Sequence, residues 1–263
     1  MSAGVGIPLV AAFVWVSPAW LFTTVILLLV AVAQWELYRM FGRVGVKAQR
    51  GTGLFFGGVV VLAFAFGGAS RPWLVPLALS LSIIGCLAMG LRRQAGPTLD
   101  WPALALSLLG ICYCAWLLGH AIWLRALPRG ARLTLIALGV TWCGETAAYF
   151  VGRRWGRRKL APRISPAKTI EGGVAQVVVS VAAAFVGARV MALTPVHALG
   201  IGLMLGVIGQ AGDLAESFLK RSAGTKDAGD LVPGHGGLLD RLDSLLFNIP
   251  ALYYYAKILI SQG

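Results

Sequence analysis

The ten acidic residues of this 263-residue chain are unevenly placed. Six of them, Asp213, Glu216, Asp227, Asp230, Asp240 and Asp243, fall within 31 residues, whereas the first 144 residues hold only Glu36 and Asp100. Asp213, Glu216 and Ser217 stand at i, i+3 and i+4, so a helix through them carries their oxygens on one face. Asp240 and Asp243 repeat the i, i+3 spacing where a further apolar run begins. Oxygen donors in this arrangement suit a hard divalent cation, which takes one or two carboxylates and completes its shell with water and substrate phosphates. The same acids could instead pair with Lys220, Arg221, Lys226 and Arg241 in a solvated network, and spacing alone leaves both readings open.

Between the two acid pairs runs a segment rich in glycine, from Ser222 to Gly237, that also holds Lys226, Asp227, Pro233 and His235. Its backbone N–H groups, with Lys226 and the start of the next helix, could cradle phosphate. It is not a P-loop, because the G-x-x-x-x-G-K-[ST] order is absent and no strand precedes it. His235 could act in acid–base chemistry, donate to a phosphate or brace the loop. A second cluster, Ser165-Pro166-Ala167-Lys168-Thr169, closes a strongly basic loop. Two hydroxyls and a lysine at the entry to a helix offer a polyphosphate neutral donors, a point charge and a dipole end.

The elements that must position these groups are membrane helices. Hydrophobic residues make up 58% of the chain and charged ones 13%, against roughly 25% charged in soluble domains, which excludes an ordinary water-soluble globule. Apolar runs near 7–17, 19–38, 54–69, 73–91, 102–120, 131–152, 173–193, 197–219 and 244–261 predict an all-α, polytopic transmembrane helical bundle of eight or nine membrane helices. Pro18 makes the first run a short piece of uncertain span. The expected division is an N-terminal part, 1–128, of structural, lipid-facing helices and a C-terminal part, 129–263, that carries the site.

A formal net charge of +13 on such a chain points to cytoplasmic loops, anionic lipid headgroups or anionic substrates. Nucleic acid is not an expected partner, because the basic residues sit in short loops between spans. Basic segments at 39–50, 91–96, 153–168 and 220–237 alternate with short loops and are expected to face the cytoplasm. The loop 121–132, with Arg125, Arg129 and Arg132, falls on the other side by parity despite its charge. Cys86, Cys112, Cys114 and Cys143 lie in apolar runs without metal-ligand spacing, and are read as small core residues.

The stretch from Ser217 to Asp243, S-F-L-K-R-x4-K-D-x-G-x2-V-P-x-H-G-G-L-x-D-R-L-D, resembles the C-terminal signature of the phosphatidate cytidylyltransferases, the CDP-diacylglycerol synthases. The resemblance extends through Gly212-Asp213-Leu214-x-Glu216-Ser217, Leu160 to Thr169 and Thr146-x-Ala148-Tyr149-Phe150-x-Gly152-Arg153, and more loosely to Trp35-Glu36-Leu37. Val232, Ile170, Glu145 and Ala147 depart from the usual pattern, and Glu145 lengthens a carboxylate arm. The resemblance implies transfer of a cytidylyl group from CTP to phosphatidate in the bilayer, with diphosphate released and Mg2+ required; a second cation and a homodimer stay open. It also implies a bacterial inner-membrane protein with its active site on the cytoplasmic side. Asp213 and Asp240 are the implied metal ligands, with Glu216 and Asp243 in support. Ser165, Lys168, Thr169 and Lys226 are assigned to the nucleotide phosphates, and Arg221, Arg241 and His235 to phosphatidate or diphosphate. Asp227 joins the catalytic set, and Ser217 and Lys220 the substrate-binding set.

Two other classes are compatible with parts of this pattern. A CTP-dependent lipid or polyprenol kinase uses similar phosphate chemistry, but the long match over 217–243 argues against it. A transporter would scatter its acids through helix centres, whereas these gather at helix ends.

Overall fold

A computed structural model describes residues 2–68, 70–93, 99–229 and 236–260, so Asp230 and His235 lie outside the described residues. Among the described residues the chain forms nine helices and one short hairpin. They are α1 (Ser2–Val16), α2 (Ala19–Gly42), α3 (Arg50–Gly67), α4 (Leu74–Arg93), α5 (Trp101–Ala126), α6 (Gly130–Trp155), β1 (Lys159–Ala161), β2 (Ser165–Thr169), α7 (Ile170–Met191), α8 (Pro195–Ser222) and α9 (Leu239–Tyr255). Helix α5 is π-wound over Ile111–Trp116, and α9 runs into a π-wound turn at Ala256–Ile260.

Seven helices, α2 to α8, are long and apolar enough to cross a membrane, and the protein is a polytopic helical membrane protein. Helix α1 has 15 residues with Pro8 inside it, and α9 has 17, fewer than the roughly 20 that a span needs. Outward side chains along the long helices are large and apolar, among them Leu28, Phe66, Ile84, Val178 and Val186. The basic loop after α6 is more ordered than its composition suggested, because β1 and β2 pair antiparallel with Lys159 opposite Thr169 and Ala161 opposite Ser165.

The chain divides into two compact units that interleave in sequence. The first comprises 1–17, 124–219 and 243–263, and the second 18–123 and 220–242. In the first unit small residues let helices approach closely, as membrane packing favours. A Cβ on Gly206 would sit 2.9 Å from Val177 Cα, and one on Gly212 would sit 2.7 Å from the Asp243 carbonyl oxygen. Asn248 donates to Thr141 Oγ1 at 2.8 Å, tying α9 to α6. In the second unit Tyr38 is fully buried and donates to the Ser107 carbonyl at 2.9 Å, while Gly53 and Gly110 leave room for its ring.

The structure also accounts for the basic loop 121–132. Arg125 Nε and Nη2 donate to the carbonyls of Val14 and Ser17 at 2.8 and 3.3 Å, and Arg129 Nη1 donates to that of Met191 at 2.8 Å. These are carbonyls at the ends of α1 and α7, which lack partners within their own helices. Two of the three arginines are therefore helix caps, and their number carries little topological information.

Candidate active site

Within the first unit the end of α6, the hairpin, the start of α7 and the middle of α8 enclose a cavity of about 670 Å³. The local sequence builds its wall around Thr169. That residue is the N-cap of α7, its Oγ1 accepting from Gly172 N at 3.2 Å, and it is buried. Glycines at 152, 156 and 172 surround it, and a Cβ at any of them would stand 2.7–3.2 Å from Oγ1. Glu171, in the first turn of α7, accepts from the backbone N–H groups of Arg157 and Arg158 at 3.0 and 3.3 Å, which pins the start of the hairpin to the helix. The cluster from Ser165 to Thr169 is thus β2 leading directly into a helix N-terminus, and it presents Lys168 to the cavity.

Lys168 Nζ lies 2.5 Å from Asp213 Oδ2, with both side chains partly exposed. Ser217 Oγ donates to the other carboxylate oxygen of Asp213 at 3.5 Å, as the i, i+4 spacing anticipated. Glu216 is fully buried, while Asp243 accepts from Ser244 N at 2.7 Å. Burial, first, and then the nearby carboxylates of Asp213, Glu145 and Glu216 push the Asp243 carboxyl up to about 8. Three carboxylates therefore act on Asp243 in this unit, and Lys168 stands beside one of them, Asp213. No group of three or more metal-ligating side chains among the described residues is arranged to hold an ion by itself. The donor set fits a cation that shares its shell with substrate phosphate rather than one caged by protein alone.

The remaining residues singled out from the sequence lie in the second unit. Asp240, in the first turn of α9, accepts from Lys220 Nζ at 2.6 Å on Oδ1, and from Ala228 N at 3.0 Å and Gly237 N at 2.8 Å on Oδ2. Its carboxylate gathers the two flanks of the glycine-rich segment. Glu36, fully buried in α2, does the same for the start of α9, accepting from Leu238 N at 3.0 Å and Leu239 N at 2.8 Å. Arg221 Nη1 donates to the Thr225 carbonyl at 3.2 Å, and Thr225 Oγ1 to the Asp227 carbonyl at 3.1 Å, which folds the loop after α8. Lys226, Asp227 and Arg241 are exposed.

Several residues of the cavity were given no role from the sequence. Tyr149 and Arg153 stand on α6, with Arg153 Nη1 donating to Tyr149 Oη at 2.9 Å. Gln176 on α7 and Gln210 on α8 line the same cavity, and so does Glu145, one of the departures from the family pattern. Gln210 precedes Asp213 by three residues and so shares its helix face, a spacing that could have drawn attention to it. Glu36 had a plain signal as well, since a carboxylate within an apolar run is costly unless it has partners.

A model of the cytidylyltransferase family matches residues 1–259. The chain is 42% identical over 146 residues to an uncharacterized protein of Escherichia coli, YnbB, covering 53% of this chain and 49% of that one. It is 42% identical over 154 residues to the phosphatidate cytidylyltransferase of Bacillus subtilis, covering 57% and 55%. It is 36% identical over 187 residues to the phosphatidate cytidylyltransferase of Brucella suis, covering 69% and 66%. In the first two of these the match spans about half the length of the relative.

Proposed function

The chain belongs to the cytidylyltransferase family, and from that premise we propose that it transfers the cytidylyl group of CTP to phosphatidate, forming CDP-diacylglycerol and diphosphate. The observation that carries this reading is the pairing of Lys168 with Asp213 in a cavity whose wall is a helix N-terminus capped by Thr169. That combination offers a polyphosphate a point charge and a dipole end, and offers a cation a carboxylate.

In the reaction a phosphate oxygen of the lipid attacks the α-phosphorus of CTP, and the bond from that phosphorus to the diphosphate oxygen breaks. The attacking oxygen is already anionic, so no side chain need remove a proton and none need become covalently attached. Catalysis rests on placing two anions together and offsetting their charge. Lys168 leaves Asp213 to meet a phosphate, and the α7 N-terminus and Ser165 hold the nucleotide tail. Asp213 would hold Mg2+ within the first unit, with Glu216 and Asp243 in support, and the bound ion would supply positive charge to offset that of the phosphates. By the sequence resemblance Arg221 and Arg241 meet phosphatidate or the departing diphosphate, and Lys226 meets the nucleotide phosphates. The site faces the cytoplasm of a bacterial inner membrane, where CTP is available and where the basic loops 153–168 and 220–237 are retained.

Purified protein in detergent with phosphatidate and CTP labelled in the α-phosphate tests the reaction. Label appearing in lipid, dependent on Mg2+, is the expected result. Label passing to lipid only from the γ-phosphate would replace this activity by a kinase. For orientation, Ala167→Cys in a background without the four native cysteines should resist an impermeant thiol reagent in intact cells and react once the membrane is opened. Labelling from outside would reverse the orientation.

A further inference from the structure

We propose that Gln210 reads the nucleobase: its side-chain oxygen is a fixed hydrogen-bond acceptor for the exocyclic amine of a 4-aminopyrimidine, and it disfavours a 4-oxo base. The inference rests on the cytidylyl-transfer reading above and extends it to a residue that selects the nucleotide.

A glutamine amide has a donor end and an acceptor end, and one free to turn would accommodate either kind of base. Gln210 is not free to turn. Its Nε2 donates to the carbonyls of Gly173 at 2.9 Å and Gly206 at 3.1 Å. Both partners are backbone oxygens, which only accept, so turning the amide over would set three oxygens against one another. Both N–H groups of the amide are thereby engaged. Among the described residues Oε1 takes no hydrogen bond, and Gln210 is part of the cavity wall together with Lys168 and Asp213. Residue 173 is a glycine where a Cβ would stand 2.7 Å from Oε1, so the absence of a side chain there keeps the approach to that oxygen open.

Cytosine and uracil differ at position 4, where one carries an N–H donor and the other a carbonyl acceptor. An acceptor held in place forms a hydrogen bond with the first and opposes lone pairs with the second. Sites that hydrogen-bond one substrate group discriminate strongly against analogues without it, because the protein atom is left unpaired.

The test compares label transfer to phosphatidate from CTP, UTP, dCTP and the triphosphate of the 4-unsubstituted pyrimidin-2-one nucleoside. Wild-type protein should use the 4-unsubstituted nucleotide about 10-fold or more less efficiently than CTP. Gln210→Leu should lower kcat/KM for CTP by about the same factor while leaving the 4-unsubstituted nucleotide within about 2-fold, so that the preference collapses. Gly173→Ala, which crowds Oε1 without removing it, should compress the same ratio. Equal use of both nucleotides by wild type overturns the proposal without recourse to a variant. Equal loss for both nucleotides in Gln210→Leu makes Gln210 a brace between α7 and α8, and a change in the CTP to dCTP ratio instead assigns the oxygen to the ribose; either result also overturns it. Wild-type transfer from no nucleoside triphosphate would overturn the cytidylyl reading itself, whereas transfer without base preference would overturn only the role of Gln210.

Discussion

Asp213 and Asp240 look equivalent in the sequence, each an aspartate at a helix end with a second acid three residues on, yet the structure treats them differently. Asp240 accepts from Lys220 and from two backbone N–H groups that flank the glycine-rich segment. Asp213 has Lys168 and one long hydrogen bond from Ser217, and its carboxylate adds to burial, the larger cause, in pushing the Asp243 carboxyl up. One carboxylate is built into the scaffold and the other is held in readiness. Chemical spacing can nominate both, but the kinds of partner each takes distinguish their tasks.

Paired substitutions sharpen that contrast most. Asp213→Asn and Asp240→Asn should each reduce cytidylyl transfer by about 100-fold or more. Their melting temperatures should part company. Asp240→Asn presents an amide to N–H donors and should lose about 1–3 kcal/mol of stability. Asp213→Asn gives up a partly exposed ion pair and relieves repulsion, and should stay within about 1 kcal/mol of wild type. Equal destabilisation by both would erase the distinction between the two carboxylates.

Lys168→Ala should come next in size. Loss of a charged hydrogen bond to a polyphosphate costs about 1.5–3 kcal/mol, seen as a roughly 10- to 150-fold fall in kcat/KM for CTP with little change in the phosphatidate dependence. A shift confined to phosphatidate would move Lys168 to the lipid.

Glu36→Gln probes the scaffold side of the comparison through a residue remote in sequence. Its amide cannot accept from Leu238 and Leu239 as a carboxylate does, and stability measured by thermal melting should fall by about 1–3 kcal/mol. A variant as stable as wild type would show that the start of α9 is held by other means.

The smallest effect expected is one of pH. A carboxyl whose folded-state value is raised to about 8 binds its proton more tightly in the folded than in the unfolded chain, so stability is full at acid pH and declines as pH rises toward that value. Metal-free protein should therefore melt lower at pH 8.5 than at pH 6, and Asp243→Asn should flatten the slope. A wild-type slope of the opposite sign would mean that Asp243 does not keep its proton in the folded chain.

Most of the helices were legible because a bilayer demands long apolar runs, and proline and basic loops mark where they stop. The i, i+4 contact of Asp213 with Ser217 followed from helical periodicity alone. What periodicity cannot supply is pairing between distant segments. The bond of Lys168 to Asp213, the carbonyls that fix Gln210 and the grip of Glu36 on α9 all join residues from different elements. The hairpin was hidden for a related reason: its strands are short and charged, and their order depends on Glu171 and on the glycines about Thr169. The arginines of 121–132 resisted a topological reading because helix capping and membrane sidedness use the same residue type.

The tie between Glu36 and the start of α9 joins residues 202 and 203 positions apart. During synthesis at roughly 5–20 residues per second, about 10–40 seconds pass between the emergence of the carboxylate and that of the N–H groups it will accept from. For that interval the carboxyl of Glu36 sits in an apolar helix without these two donors. A ribosome that stalls before Leu238 leaves behind a chain whose early helices are inserted and whose buried acid still lacks these partners, a state that a membrane protease or chaperone can tell from the finished protein by chemistry alone.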